Sequence, residues 1–194
     1  MRTTIRLYLP LMDNDLETLI IGDRVLLNGV LYTARDAAHK RLVDLLENGQ
    51  ALPLELNNSL IFYAGPAPAP PGYPVGSIGP TTSSRMDSYA TVLMEKTGVK
   101  GMIGKGKRSP EFAAACKKYR SIYFVAIAGV AALLNKNIVD VETVAYEDLG
   151  TESIKRLTVR DLPVIVANDI WGRDIFDEGQ KQYRIPIEKI LSDL

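Results

Sequence analysis

Three short stretches of this sequence gather cations and hydroxyls at spacings that could hold a small anion. The first is Thr33-Ala34-Arg35-Asp36-Ala37-Ala38-His39-Lys40, where a strand-like run gives way to a helical one. Arg35 and His39 are four residues apart and share a helix face, and His39 is the only histidine. A guanidinium and free amides at such a junction suit a carboxylate. The plainer alternative is a surface pair of Asp36 with Lys40 and a core or capping His39. The second stretch is Gly79-Pro80-Thr81-Thr82-Ser83-Ser84-Arg85-Met86-Asp87. Its four hydroxyls are expected to open a helix, with Thr81 and Arg85 one turn apart. That makes an anion cradle, whereas simple capping would need only one hydroxyl. The third is Gly101-Met102-Ile103-Gly104-Lys105-Gly106-Lys107-Arg108-Ser109-Pro110, with Lys105 between two glycines. It is not a nucleotide P-loop, because Gly106 follows the lysine where Ser or Thr is needed. A point charge for a small anion and a basic solvated turn both fit it. Asp148-Leu149-Gly150-Thr151-Glu152 reads as an ordinary turn and cap. Cys116, beside Ala113, Ala114 and Ala115, reads as buried packing rather than a nucleophile.

The elements that must position these groups alternate between strand and helix patterns. Strands are expected over Thr4–Leu9, Ser59–Ala64, Val99–Ile103, Ile122–Ala126, Val139–Tyr146 and Pro163–Asn168. Arg24–Thr33 reads as one strand or as a pair around Asn28-Gly29. Apolar spacing predicts a helix over Ala34–Glu47, stopped by Asn48-Gly49, and another over Thr81–Lys96. Ser109-Pro110-Glu111 starts a third, running to about Tyr119: a capping Ser, Pro at the first position, an acid in the first turn. Gly129–Asn135 reads as a short helix and Ser153–Leu157 as a helical turn. Gly65–Pro80 holds six of the eleven prolines and four glycines, so it is neither helix nor central strand. With Tyr73, Val75 and Ile78 in it, an ordered crossing loop is expected rather than a linker. The alternation implies an α/β domain with a largely buried sheet, in a layered β/β/α arrangement, over residues 1–194.

Composition narrows the function classes. The 194 residues carry 23 Lys plus Arg against 23 Asp plus Glu, which excludes a strongly basic nucleic-acid binder. No apolar run reaches the roughly 18–20 residues of a membrane helix. The N-terminal residues show no signal-peptide pattern, so a cytoplasmic, soluble protein is expected. One cysteine excludes an internal disulfide and any zinc or iron–sulfur site made from this chain's own thiols. Arg35, Arg85 and Lys105, each at the end of a strand, suit a substrate with two carboxylates.

Four stretches carry a resemblance: GDRVLLNGVLYTARDAAHKRL, YAGPAPAPPGYPVGSIGPTTSSRMD, MIGKGKRS and YEDLGTESIKRLTVRDLPVIVANDIWG. In them the chain resembles the iron–sulfur-dependent hydro-lyases, the class I fumarases and L-tartrate dehydratases. Specifically it is similar to their β subunit, which corresponds to the C-terminal domain of single-chain class I fumarases. The resemblance implies a swivelling β/β/α domain and reversible hydration of fumarate to (S)-malate. It implies a hetero-oligomer with an α subunit that holds a [4Fe-4S] cluster, and a small dicarboxylate substrate. By motif, Thr81 is the proton-transferring residue, and Arg35, Thr82, Arg85 and Lys105 bind substrate. Tartrate dehydration and a non-catalytic anion-binding module remain the alternatives.

Overall fold

The computed structural model describes residues 3–184; residues 1, 2 and 185–194 of the expected domain lie outside them. β1 (Ile5–Tyr8) is followed by a short helix α1 (Asp13–Thr18) and the long strand β2 (Arg24–Thr33). Helix α2 (Asp36–Glu47), β3 (Leu60–Phe62), α3 (Asp87–Thr97), β4 (Gly101–Gly104), α4 (Pro110–Tyr119) and β5 (Ile122–Val125) come next. Then α5 (Ala131–Leu134), β6 (Ile138–Ala145), β7 (Ile154–Asn168) and α6 (Ile175–Tyr183) complete the order. The strands form one mixed sheet in the order β1-β2-β3-β4-β5-β7-β6, and a further β2–β7 pairing closes five of them into a small barrel.

β2 and β7 run antiparallel from Arg24 opposite Ile165 to Thr33 opposite Lys155. Midway, β7 carries one extra residue, so Leu27 faces Leu162 while Gly29 faces Val159. Because side chains alternate faces, an extra residue reverses the facing pattern beyond it. The sequence reverses with it: Leu157 and Val159 point into the barrel, then Leu162, Val164 and Val166. Asp161 adopts positive φ at this bulge. Its N–H donates to Asn28 Oδ1 at 3.0 Å, and Asn28 Nδ2 donates back to its carboxylate at 3.3 Å.

The short strands β3, β4 and β5 bury both faces. Leu60, Phe62, Ile103, Ile122 and Phe124 fill the barrel with the β2 and β7 residues. Ile61, Tyr63, Met102 and Tyr123 face outward, onto a second core with Ala38 and Leu42 of α2, Leu93 and Met94 of α3, and Phe112 and Cys116 of α4. Cys116 is therefore packing, its thiol pushed up to about 12 by burial.

Two expectations are corrected, and one open alternative is decided. Residues 153–157 are not a helical turn; they enter β7. Ile154 and Leu157, three apart, bury on opposite faces of a sheet covered on both sides, which mimics helical spacing. Arg24–Thr33 is one strand, because Asn28 bonds across to the bulge instead of turning. The helix expected from Thr81 begins as a 3-10 turn at Ser83–Met86, and α3 starts only at Asp87. The Gly65–Pro80 stretch is ordered: Ala67 N–H donates to Ser77 O and Gly76 N–H to Ala67 O, both at 3.0 Å, and Val75 and Ile78 are buried.

Gly29, at φ +118°, has Leu9 O only 3.0 Å from where a Cβ would stand. Gly29→Ala is expected to lower stability by about 1–3 kcal/mol through forced positive φ and crowding. Urea denaturation of the two proteins checks this.

Candidate active site

Residues 80–83 are laid as an extra extended strip beside the ends of β3 and β4. Thr81 N–H donates to Tyr63 O at 2.7 Å, Lys105 N–H to Thr81 O at 3.1 Å, and Ser83 N–H to Lys105 O at 3.0 Å. Thr82 and Lys105 are thereby bridged side by side. Of the amides expected to cradle an anion at a helix start, those of Thr81 and Ser83 are spent on this strip, and no side chain caps the turn that follows.

The strip is pinned from beneath. Tyr123 hydroxyl lies 2.9 Å from Ser83 Oγ and 3.0 Å from Gly106 O. A phenol has one proton and a carbonyl only accepts, so that proton goes to Gly106 and Ser83 donates to the phenol. Arg108 is buried, its Nε on the Asp87 carboxylate, its guanidinium 3.4 Å from the Phe112 ring centroid and 4.8 Å from that of Tyr123. Asp87 also accepts the Ser109 N–H at 2.8 Å. The Lys105 loop is thus tied to α3 and to the sheet.

Arg85 turns back along the strip. Its Nε and Nη2 donate to the two oxygens of Asp36 at 2.7 and 3.0 Å, and Nη2 also donates to Thr81 Oγ1 at 2.9 Å. The Arg85 hydrogen bond holds the Asp36 carboxyl below the usual carboxylate range. The expected Asp36–Lys40 pair does not form; Lys40 binds Asp44 at 2.9 Å instead.

Arg35 stands next to this pair, immediately before α2. Its Nη2 is 3.8 Å from Asp36 and 3.5 Å from Glu152, and its buried Nε has no hydrogen-bond partner among the described residues. Gly65 leaves it room: a Cβ there would come within 3.0 Å of Arg35 Nη1 and 2.9 Å of Thr151 O. Glu152 also accepts the Ala37 N–H at 3.0 Å, so the fourth stretch is more than a turn; it serves the start of α2. Asp36, expected as a surface partner of Lys40, and Glu152, expected as part of a turn and cap, instead stand beside Arg35 and Arg85. Their signal was present, since both lie inside the stretches that carry the resemblance. Thr82 is exposed, and Lys105 Nζ meets no carboxylate among the described residues.

His39 lies one turn below Arg35, buried, edge-on to Tyr63 with ring centroids 5.1 Å apart. Burial pulls its pKa down to about 4, so the ring is neutral. Nδ1 lies 2.9 Å from Arg35 O and must carry the proton it donates there. His39 is a fixture of the Arg35 backbone, not a facing group.

A family model described as "Fumarase C-terminus" matches residues 1–179. The chain belongs to the fumarase C-terminus family. Among its relatives, "Fumarate hydratase 2" of Leishmania major is 41% identical over 81% of this chain and 28% of its own length. "Fumarate hydratase class I, aerobic" of Escherichia coli K12 is 41% identical over 82% of this chain and 29% of its own. "L(+)-tartrate dehydratase subunit beta" of the same strain is 33% identical over 95% of this chain and 92% of its own. This fumarase C-terminal chain therefore spans under a third of the fumarate hydratases it matches, but nearly all of the tartrate dehydratase subunit. No described helix is long and apolar enough to cross a membrane.

Among its described residues the fumarase C-terminal chain offers no donor set that fits an iron–sulfur cluster. Its one cysteine is buried with a raised pKa, and no group of three His, Cys, Asp or Glu among the described residues could hold a metal ion.

Two outcomes follow from this geometry. A Cβ on Gly104 would sit 1.9 Å from Ser83 Oγ. Gly104→Ala should destabilise by about 1–3 kcal/mol, and adding Ser83→Ala should restore part of that, as thermal or urea unfolding will show. His39, the only histidine, binds a proton near pH 6.5 when unfolded but only near pH 4 when folded. The unfolded state thus takes up more protons between those values, and stability falls as pH drops through that window. From pH 7 to 5 the loss is expected to be about 2 kcal/mol, and His39→Asn should flatten that slope in urea denaturation.

Proposed function

We propose that this chain is the β subunit of an iron–sulfur hydro-lyase that hydrates fumarate reversibly to (S)-malate in the cytoplasm, with a separate α subunit. The observation that carries the reading is the convergence of Arg35, Thr81, Thr82, Arg85 and Lys105 on one edge, through Asp36 and the bridge between Thr82 and Lys105. The membership in the fumarase C-terminus family supports it.

Charge counting supports a partner. Arg35 and Arg85 face Glu152 and Asp36, and Lys105 leaves the edge a surplus of one positive charge. That suits one carboxylate; a dicarboxylate needs a second cation from elsewhere. Arg35 and Lys105, the less neutralised cations, hold the carboxylate and stabilise charge as it develops beside the carbanion. Thr82 and Arg85 complete the binding face. Thr81 carries the proton to and from the carbon next to that carboxylate. Its oxygen already accepts a guanidinium hydrogen bond, which favours the alkoxide and leaves its own proton free to move. The [4Fe-4S] cluster, the Lewis acid for the leaving hydroxide, belongs to the α subunit. Residues 1–194 act as one domain, and the swivelling β/β/α arrangement is supported by helices α2, α3 and α4 packed on one outer face of the barrel. A second reading, the β subunit of L(+)-tartrate dehydratase, is favoured by a match that covers 92% of that relative.

The test is anaerobic co-expression with an α subunit that carries three cysteines, and assay on fumarate, malate and both tartrates. Activity on fumarate and malate supports the first reading, and on tartrate alone the second; a chain binding anions without turnover would be a non-catalytic module. In the active complex, Arg35→Met and Lys105→Met should each lower kcat/KM by about 30-fold to several thousand-fold. Lys107→Met, whose ammonium pairs with Asp177 at the surface, should stay within about threefold. Thr81→Val should lower kcat by roughly 100-fold, with partial recovery in Thr81→Ser. Because Thr81 caps no helix, Thr81→Val should change stability by no more than about 0.5 kcal/mol.

A further inference from the structure

We infer that Asp36 is a positioning residue: its carboxylate fixes the Arg85 guanidinium so that Nη2 is aimed at the Thr81 hydroxyl. The inference rests on the reading of Thr81 and Arg85 as parts of the reacting site. Arg85 has five N–H bonds. One on Nε and one on Nη2 go to Asp36, and the other on Nη2 goes to Thr81 Oγ1. Two contacts to one carboxylate lock the guanidinium plane, as one contact cannot. Only Nη1 is left to face a substrate.

The anchor is itself rigid. Asp36 opens α2, directly after Arg35, whose carbonyl is clamped by both N–H and Nδ1–H of His39. Thr81 is equally fixed, by backbone bonds to Tyr63 and Lys105. Arg85 is the one long, flexible side chain between two fixed points, with its side chain 44% exposed. Without Asp36 nothing else described holds its plane, and it would sample solvent. The group lost with it is the cation beside the Thr81 oxygen. A carboxylate in the first turn of a helix also favours the helix electrostatically. That role alone would touch stability and leave turnover intact, which separates the two.

The experiment uses the complex with its α subunit. Asp36→Asn keeps the shape but loses the charge and one acceptor oxygen; Asp36→Glu keeps the charge. The expected result for Asp36→Asn is a kcat at least tenfold lower. The ascending limb of its kcat–pH profile should move to higher pH, and KM should change less than kcat. Asp36→Glu should recover part of both effects. Asp44→Asn, on the exposed pair with Lys40, is the control and should leave activity and the pH profile unchanged. Melting temperature is measured for each complex. An active wild type with Asp36→Asn at wild-type kcat and unshifted pH limb overturns the inference alone. An Asp36→Asn complex that differs only by a lower melting temperature overturns it as well. A wild-type complex inactive on fumarate, malate and both tartrates overturns the proposed function, and the inference with it.

Discussion

Nine residue pairs join β2 to β7, and on this ribbon every other strand depends. β1 and β3 add to successive parts of β2, while β6 and β5 add to successive parts of β7. The ring closes only because β3, β4 and β5 run from the end of one long strand to the far end of the other. The single extra residue in β7 lets both halves of the ribbon turn Leu and Val inward. Without it one half of β7 would present its apolar set to the wrong face. The mutual bonds of Asn28 and Asp161 hold that irregularity at one place. They turn a flat ribbon into a barrel wall.

The candidate site is built where this wall runs out. β3 and β4 are short, and the backbone beyond them continues as strip and loop whose amides pair with one another. The cations therefore stand on backbone that is fixed on both sides, whereas their own charges are only partly offset. Among the described residues Lys105 has no acid beside it, Arg35 is held at ion-pair distance without a hydrogen bond to either acid, and Arg85 has Nε and Nη2 engaged, with only Nη1 left over. This grading of three cations separates groups available to a ligand from one that shapes its neighbours. Rigid anchors beneath partly free charges are what preorganised binding of an anion requires.

Much of this was legible in the residues. The strands, the proline-rich crossing and helix α4 followed from periodicity and from Ser109-Pro110-Glu111, and Ser109 does accept the Phe112 N–H at 3.1 Å. The grouping of Arg35, Thr81, Arg85 and Lys105 followed from their place at strand ends and from the resemblance. What was not legible came from long-range pairing. Nothing local says that Asp36 would reach 49 positions along the chain to Arg85 rather than four to Lys40. Nothing local says that Glu152 would return to the start of α2 either. The Thr81 segment reads as helix because its hydroxyls mimic a cap; it is extended because two strand ends claim its amides first. Residues 154–157 misled in the same manner, since burial on both faces erases the alternation that marks a strand.

Closing five strands into a ring leaves the sheet with two outer strands, β1 and β6. An open strand edge is a template on which another chain can add, copy after copy, into insoluble aggregates. On β6, Asp140 and Glu142 are exposed among the residues of that edge. A second molecule approaching in register would bring carboxylates against carboxylates. The barrel thus does more than shelter a core: by confining the risk of runaway self-assembly to two outer strands, it lets two acidic side chains guard one of them.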